Sequence, residues 1–115
     1  METCINKIIL RGRVGIEPRT NNVGENRVIR FSMATSEVFK GKDGQYKEEV
    51  TWHSVTAWSG KGMPDFSLVK KGSVVYVEGR LRSHKYVAAD GTERFYMEVI
   101  ANQLTIEEKT LPLSS

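Results

Sequence analysis

Both tryptophans of the chain fall in one short segment, EVTWHSVTAWS, from Glu49 to Ser59. β-Branched and aromatic residues dominate it, which predicts a strand, and alternate residues of a strand share a face. Trp52, Ser54, Thr56 and Trp58 therefore stand on one side, and Thr51, His53, Val55 and Ala57 on the other. The two largest side chains keep company with hydroxyls rather than with valine and alanine. An aromatic ring presented on a polar face can stack on an unstacked nucleobase, worth about 1–3 kcal/mol per base. The same alternation turns Lys7, Arg11, Arg13, Arg30, Arg80, Arg82 and Arg94 outward, with Tyr76, Tyr86 and Tyr96. Rings for bases interleaved with cations for phosphates suit a single-stranded nucleic acid, whereas a duplex hides its base faces.

Each feature has a blander explanation. Exposed arginines on strands keep a surface soluble and block edge pairing, and aromatics on a polar face can fill a subunit interface. Cross-strand packing explains Tyr76 and Tyr96 as well as stacking does. For Trp52, Trp58 and Tyr86 the binding role is the better fit.

The elements that position these residues follow from periodicity. A first strand is expected over Ile5–Val14, with Ile8, Leu10, Gly12 and Val14 inward. Pro18 and the polar run from Asn21 to Asn26 read as a turn region. A second strand from about Arg27 to Ser36 turns Ile29, Phe31 and Met33 inward, and a long basic hairpin over Val38–Glu48 leads into the tryptophan strand. After Ser59–Gly62 the pattern changes, and Pro64–Lys71 suits about two helical turns closed by Gly72. A fourth strand is expected over Val74–Val87, and after the Asp90-Gly91 turn signal a fifth from Arg94 to about Ala101. Three strands, a short helix and two more strands is the order of the five-stranded Greek-key barrel called the OB-fold. Residues 1–104 form that domain, and residues 105–115, without periodicity, form a short flexible tail.

Composition sets the remaining limits. The 115 residues suit one domain, and with 39% hydrophobic and 27% charged residues the chain is globular. A net charge of +3 makes a nucleic-acid argument only through clustering. Cys4 is alone, so no internal disulfide forms, which fits a reducing cytoplasm. The Ile8–Leu10 run between Lys7 and Arg11 is too short for a signal-peptide core or a membrane span. His53, His84 and Cys4 lack ligand spacing, so no metal and no cofactor is expected. Glu48 and Glu49 point to opposite faces, and no phosphate-binding loop, dinucleotide fingerprint or nucleophile elbow is present, so an enzyme is not expected. Gly12-x-x-Gly15 and Gly41-x-x-Gly44 read as turn glycines.

The segments INKIILRGRVG, FSMATSEVF, TWHSVTAW, KKGSVVYVEGRLRSHKY and DGTERFYMEV occur in order over about residues 5–101. In this order the chain resembles the bacterial single-stranded DNA-binding proteins, homotetrameric replication, recombination and repair factors built on the OB-fold. The resemblance implies a cytoplasmic, nucleoid-associated protein. It implies stacking by Phe39, Trp52, Trp58 and Tyr86, of which Phe39 and Tyr86 stand where members commonly have tryptophan. It places Lys7, Arg82 and Lys85 on the DNA path and His53 at a subunit interface, while Ser54 stands where an arginine often follows the Trp-His pair. Arg11, Arg13, Arg30 and Arg80 are candidates to compensate; Lys61, Lys70 and Lys71 beside the short helix are weaker ones. His84, on the DNA-facing side, is a candidate phosphate donor when protonated.

Family members usually continue through a Gly/Gln/Pro-rich linker to an acidic tip ending in Pro-Phe, whereas this chain ends IEEKTLPLSS. Partner recruitment through a tail is therefore not expected of this sequence, and a lone coating protein, an accessory or mobile-element copy, and a sequence without its native tail all stay open. Two other readings stay open: a replication-restart accessory of the same fold, typically dimeric, and a protein-interaction barrel whose aromatics fill a partner interface. A cold-shock-like RNA binder is shorter and lacks the helix between strands three and four. DNA over RNA comes from the resemblance alone.

Overall fold

Alternation of aliphatic and polar residues between glycine turns leaves this chain little besides strands. The computed structural model describes residues 3–16, 18–60 and 63–107. It contains β1 (Ile8–Val14), β2 (Arg19–Val23), β3 (Asn26–Lys40), β4 (Tyr46–Trp58), β5 (Val74–Val87) and β6 (Glu93–Glu107). β1 pairs antiparallel with β5 from Ile8 to Arg13, and its last residues also cross to Ala34 and Met33 of β3. That second pairing closes β1-β5-β6-β4-β3 into a ring. β4 and β6 run parallel, with Val55–Ala57 beside Val99–Ala101.

The ring has the five expected members; β2 is additional. It runs along the β3 edge beyond the point where β1 meets it, Arg19 opposite Arg30 and Val23 opposite Asn26. The sequence reads this segment as turn because all five residues of β2 are exposed and polar side chains dominate. An edge strand with no buried face gives no alternation to detect.

Two further expectations change. Pro64–Lys71 forms a single 3-10 turn, Phe66–Leu68, rather than two helical turns. Asp65 caps it by accepting from the Ser67 backbone N–H at 2.9 Å, and Phe66 and Val69 are both buried in the core. Three-residue spacing brings two side chains to one side of a 3-10 turn. Val69 is already extended, which ends the turn there.

The fifth expected strand does not stop at Ala101 but runs to Glu107. Glu78 pairs with Gln103 and Gly79 with Ala101, which leaves Asn102 as a bulge. One extra residue reverses the inward parity. Val99 and Ala101 are inward before it, Leu104 and Ile106 after it. A Cβ at Gly79 would lie 2.0 Å from the Ile100 carbonyl oxygen, so the two backbones approach closely only because residue 79 is glycine. The expected tail thus loses residues 105–107 to the sheet, and residues 108–115 lie outside the described residues.

Val14, Ile29, Met33, Val55, Val75, Val77 and Val99 fill the ring on the faces that alternation assigns, and Leu104 joins them through the parity change at the bulge. Beyond this core both long hairpins run on into solvent. Val38, Val87, Phe95 and Met97 are mostly exposed.

Candidate nucleic-acid interface

β3 and β4 stay in register along their whole length, so the outward residues of one meet those of the other. Ala34 faces Trp52, Ser32 faces Ser54, Arg30 faces Thr56 and Val28 faces Trp58. Trp52 is 61% exposed and Trp58 42%. The edge of the Trp52 ring lies over the Gly15 backbone: a Cβ there would sit 2.4 Å from Cζ3. Gly15 is therefore more than a turn residue. It makes room for the ring that the strand presents. Trp58 has a different support, since Val28 opposite it is 1% exposed yet lies outside the core cluster.

Neighbouring aromatic rings stand on β5 and β6. His84 and Tyr96 are cross-strand partners, their rings stacked with centroids 4.8 Å apart and planes 15° from parallel. Tyr86 joins them, 5.9 Å from Tyr96 and tilted by 59°. Cross-strand packing therefore accounts for part of Tyr96, although it and Tyr86 remain nearly half exposed. Tyr76 turns to its own strand and donates to Glu78 Oε1 at 3.4 Å.

The outward cations divide into two groups. Lys7 lies 3.9 Å from Glu78, Arg11 2.9 Å from Glu107 and Arg94 3.8 Å from Asp90. Arg13 donates to the Gly72 carbonyl at 3.2 Å. Arg30, Arg80 and Arg82, by contrast, make no salt bridge among the described residues.

Glu98 sits recessed in this surface, its side chain 14% exposed. Thr56 donates to Oε2, and His84 Nε2 lies 2.5 Å from Oε1. Burial pushes the carboxyl upward, but the hydrogen bonds from Thr56 and His84 and the charges of His84 and Arg30 outweigh it, so Glu98 titrates below its ordinary range. His84 is thus committed to Glu98 rather than free for a phosphate. Beside this acid a recess of about 330 Å³ opens, with Arg19, Arg30, Tyr96 and Glu98 among its lining residues.

Two residues named by resemblance stand elsewhere. Phe39 pairs with Lys47 and falls on the opposite face of the β3–β4 ribbon from Trp52. Lys85 pairs with Phe95, on the opposite face from Tyr86, and lies 2.9 Å from Glu93. His53, on the side away from the tryptophans, bonds Thr35 Oγ1 at 3.0 Å, and burial holds its imidazole below the ordinary 6.5. Lys61 lies outside the described residues; Lys70 and Lys71 are exposed ahead of β5. Among the described residues no group of three or more His, Cys, Asp or Glu is placed to hold a metal, and no helix is long and apolar enough to cross a membrane. Sequence reasoning passed over Arg19 because its strand read as a turn, and over Glu98 because the search was for cations. An acid within an otherwise basic outward row was the available signal.

The single-strand binding protein family model matches residues 5–107. The chain belongs to that family. It is 37% identical over 101 residues to a single-stranded DNA-binding protein of Neisseria meningitidis, covering 87% of this chain and 58% of the relative. It is 39% identical over 105 residues to one from Xanthomonas axonopodis, with 90% and 58% covered. The chain thus spans a little under three fifths of the length of these relatives. A solved Plasmodium falciparum SSB, in complex with single-stranded DNA, superposes with a TM-score of 0.80 at 29% identity, over 94% of this chain and 99% of that one. A single-stranded DNA-binding protein from Thermus aquaticus shares the fold, with a TM-score of 0.75 at 23% identity, over 91% and 51% of the two chains.

Proposed function

We propose that this chain binds single-stranded DNA and coats it during replication, recombination and repair, acting as a binding protein and not as an enzyme. The observation that carries the reading is the open face of β4. There Trp52 and Trp58 flank Ser54 and Thr56, with Arg30 directly across the ladder. Bases stack on the two rings while Arg30, Arg80 and Arg82 meet phosphates, and Tyr86 and Tyr96 extend the surface along β5 and β6. Such contacts read little sequence. Phe39 and Lys85 stand on the reverse faces of the projecting hairpins, where a strand wrapping round an arm would meet them.

Assembly as a homotetramer fits the apolar residues Val87, Phe95 and Met97 left exposed on the β5–β6 arm, with His53 at a subunit interface. A place in the cytoplasm, on the nucleoid, is part of the same proposal. A one-domain binding unit over residues 1–107 needs no cofactor for any of this.

Intrinsic tryptophan fluorescence during titration with long oligo-dT, at low and moderate salt, tests the reading. Quenching that saturates at a fixed number of nucleotides per chain supports stacking on Trp52 and Trp58. No change at low salt would hand those rings to a protein partner. Light scattering of the free protein separates the tetramer from the dimer expected of a restart accessory.

A further inference from the structure

The recess beside Glu98 differs in kind from the surface around it. A phosphate path lined by arginines has no use for a carboxylate, and this one is both ionised at neutral pH and largely withdrawn from water. Thr56 and His84 fix its two oxygens from neighbouring strands. Each oxygen spends one acceptor site on these bonds, and an ionised carboxylate has about four in all, so acceptor capacity remains toward the recess that Glu98 lines. A backbone phosphate brought against it would be repelled. A group rich in N–H donors would not.

The rest of the recess sets the orientation of an occupant. Arg19 and Arg30 face each other across β2 and β3, and both line the recess together with Tyr96 and Glu98. Tyr96 is held by its stack on His84, the same imidazole that bonds Glu98, so ring and acid are positioned together. At about 330 Å³ the recess is at the small end of ligand pockets, and its lining includes Ser54 and Thr56, which share a face of β4 with Trp52 and Trp58.

We propose that this recess is a subsite for one nucleotide of the bound strand, with the phosphate toward Arg19 and Arg30 and an amino-bearing base edge on Glu98. Cytosine, adenine and guanine each offer an exocyclic N–H₂ to the carboxylate. Thymine offers two carbonyl oxygens and a single imide N–H, and a carbonyl turned toward Glu98 meets like charge. One position per binding site then favours an amino base over thymine, on a surface otherwise indifferent to sequence. This inference rests on the single-stranded DNA reading above and adds to it a preference, a strand orientation and a role for Glu98.

The test is competition between equal-length oligo-dC and oligo-dT for the full chain, at slightly alkaline pH where cytosine is unprotonated, with matched salt. Intrinsic polymer differences are removed by repeating it with Glu98→Gln, which keeps the side-chain shape but adds a donor and removes the charge. The wild-type ratio of dC to dT affinity should exceed the variant's by about fivefold or more. Equal ratios in the two proteins would overturn the subsite while leaving DNA binding intact. No binding of either oligomer by wild type would overturn the DNA reading itself. If Glu98→Gln does not fold, Tyr96→Leu and Arg19→Ala decide the matter. Arg19 lies on the exposed edge strand, and its loss should weaken both oligomers alike and lower the salt slope. Tyr96→Leu should shrink the dC preference, and an unchanged ratio there would count against the subsite.

Discussion

Two stretches of one outward surface carry the same kinds of side chain in different electrical circumstances. Along β1 and the adjoining part of β5, Lys7 and Arg11 are answered by Glu78 and Glu107. On β3 and the distal part of β5, Arg30, Arg80 and Arg82 have no carboxylate in salt-bridge reach among the described residues. Exposed ion pairs contribute at most about 1 kcal/mol to stability, so the first group could still trade its partners for phosphates, but each exchange would leave an acid unpaired. The second group would gain a partner outright. Basic residues two apart in sequence therefore do not amount to equal binding contributions; whether a carboxylate comes within salt-bridge reach decides.

The strongest way to break this contrast is to remove the rings that distinguish the β4 side. Trp52→Ala and Trp58→Ala should each weaken oligo-dT binding by about 1–3 kcal/mol per base lost from a stack, on the order of fivefold to a hundredfold. Affinity within twofold of wild type for both would reassign the face. Trp58→Ala should also lower the denaturation midpoint more than Trp52→Ala, because Val28 lies buried opposite Trp58.

Gly15→Ala comes next. The added methyl occupies the space of the Trp52 ring edge, and overpacking of this sort costs about 1–3 kcal/mol unless the neighbour moves. Ring movement should appear as a shifted Trp52 emission and reduced quenching by DNA. An unchanged spectrum and unchanged stability would show that Gly15 has no such role.

Arg30→Ala and Arg11→Ala sharpen the comparison directly. Loss of Arg30 should reduce the slope of log affinity against log salt by about 0.7, the value for one phosphate contact on a single strand. Arg11→Ala should change it by less than half as much, since Glu107 is released at the same time. Equal changes would erase the distinction between the two groups.

The smallest effect is that of pH on the free protein. His53 is held below 6.5 by burial, so the unfolded chain binds its proton first; the His53 contribution is complete above about pH 6.5 and declines as pH falls through the lowered folded value. Glu98, also lowered, adds a second decline that starts below its ordinary 4.5. Denaturation midpoints measured downward from neutral pH should fall in these two stages, and His53→Asn should remove the first. A midpoint flat from neutral down to the carboxylate range would contradict the His53 assignment.

Much of this was legible in advance, for a local reason. Where one face of a strand is covered, burial follows alternation apart from Val28 and Thr56, buried on the outward face, so Ile29, Met33, Val55, Val75 and Val77 could be placed inward and Trp52, Trp58 and Arg30 outward without coordinates. The rule failed where its premise failed. β2 has no covered face, and the Asn102 bulge shifts parity in β6, so Leu104 and Ile106 looked aperiodic. The face of Phe39 and Lys85 could have been read from alternation, but they were named from resemblance, which matches positions along a chain and not sides of a ribbon.

The sequence by itself determined that a small all-β ring forms, which residues fill it, and that rings and cations share its outer side, because side-chain direction in a strand is a property of neighbouring residues. Only the tertiary structure decided which cations are already paired, that Gly15 yields its place to Trp52, and that Thr56, His84, Tyr96 and Glu98 meet beside Arg19 and Arg30. Those outcomes depend on register between strands far apart in the chain, and register is fixed by the packing of the whole ring.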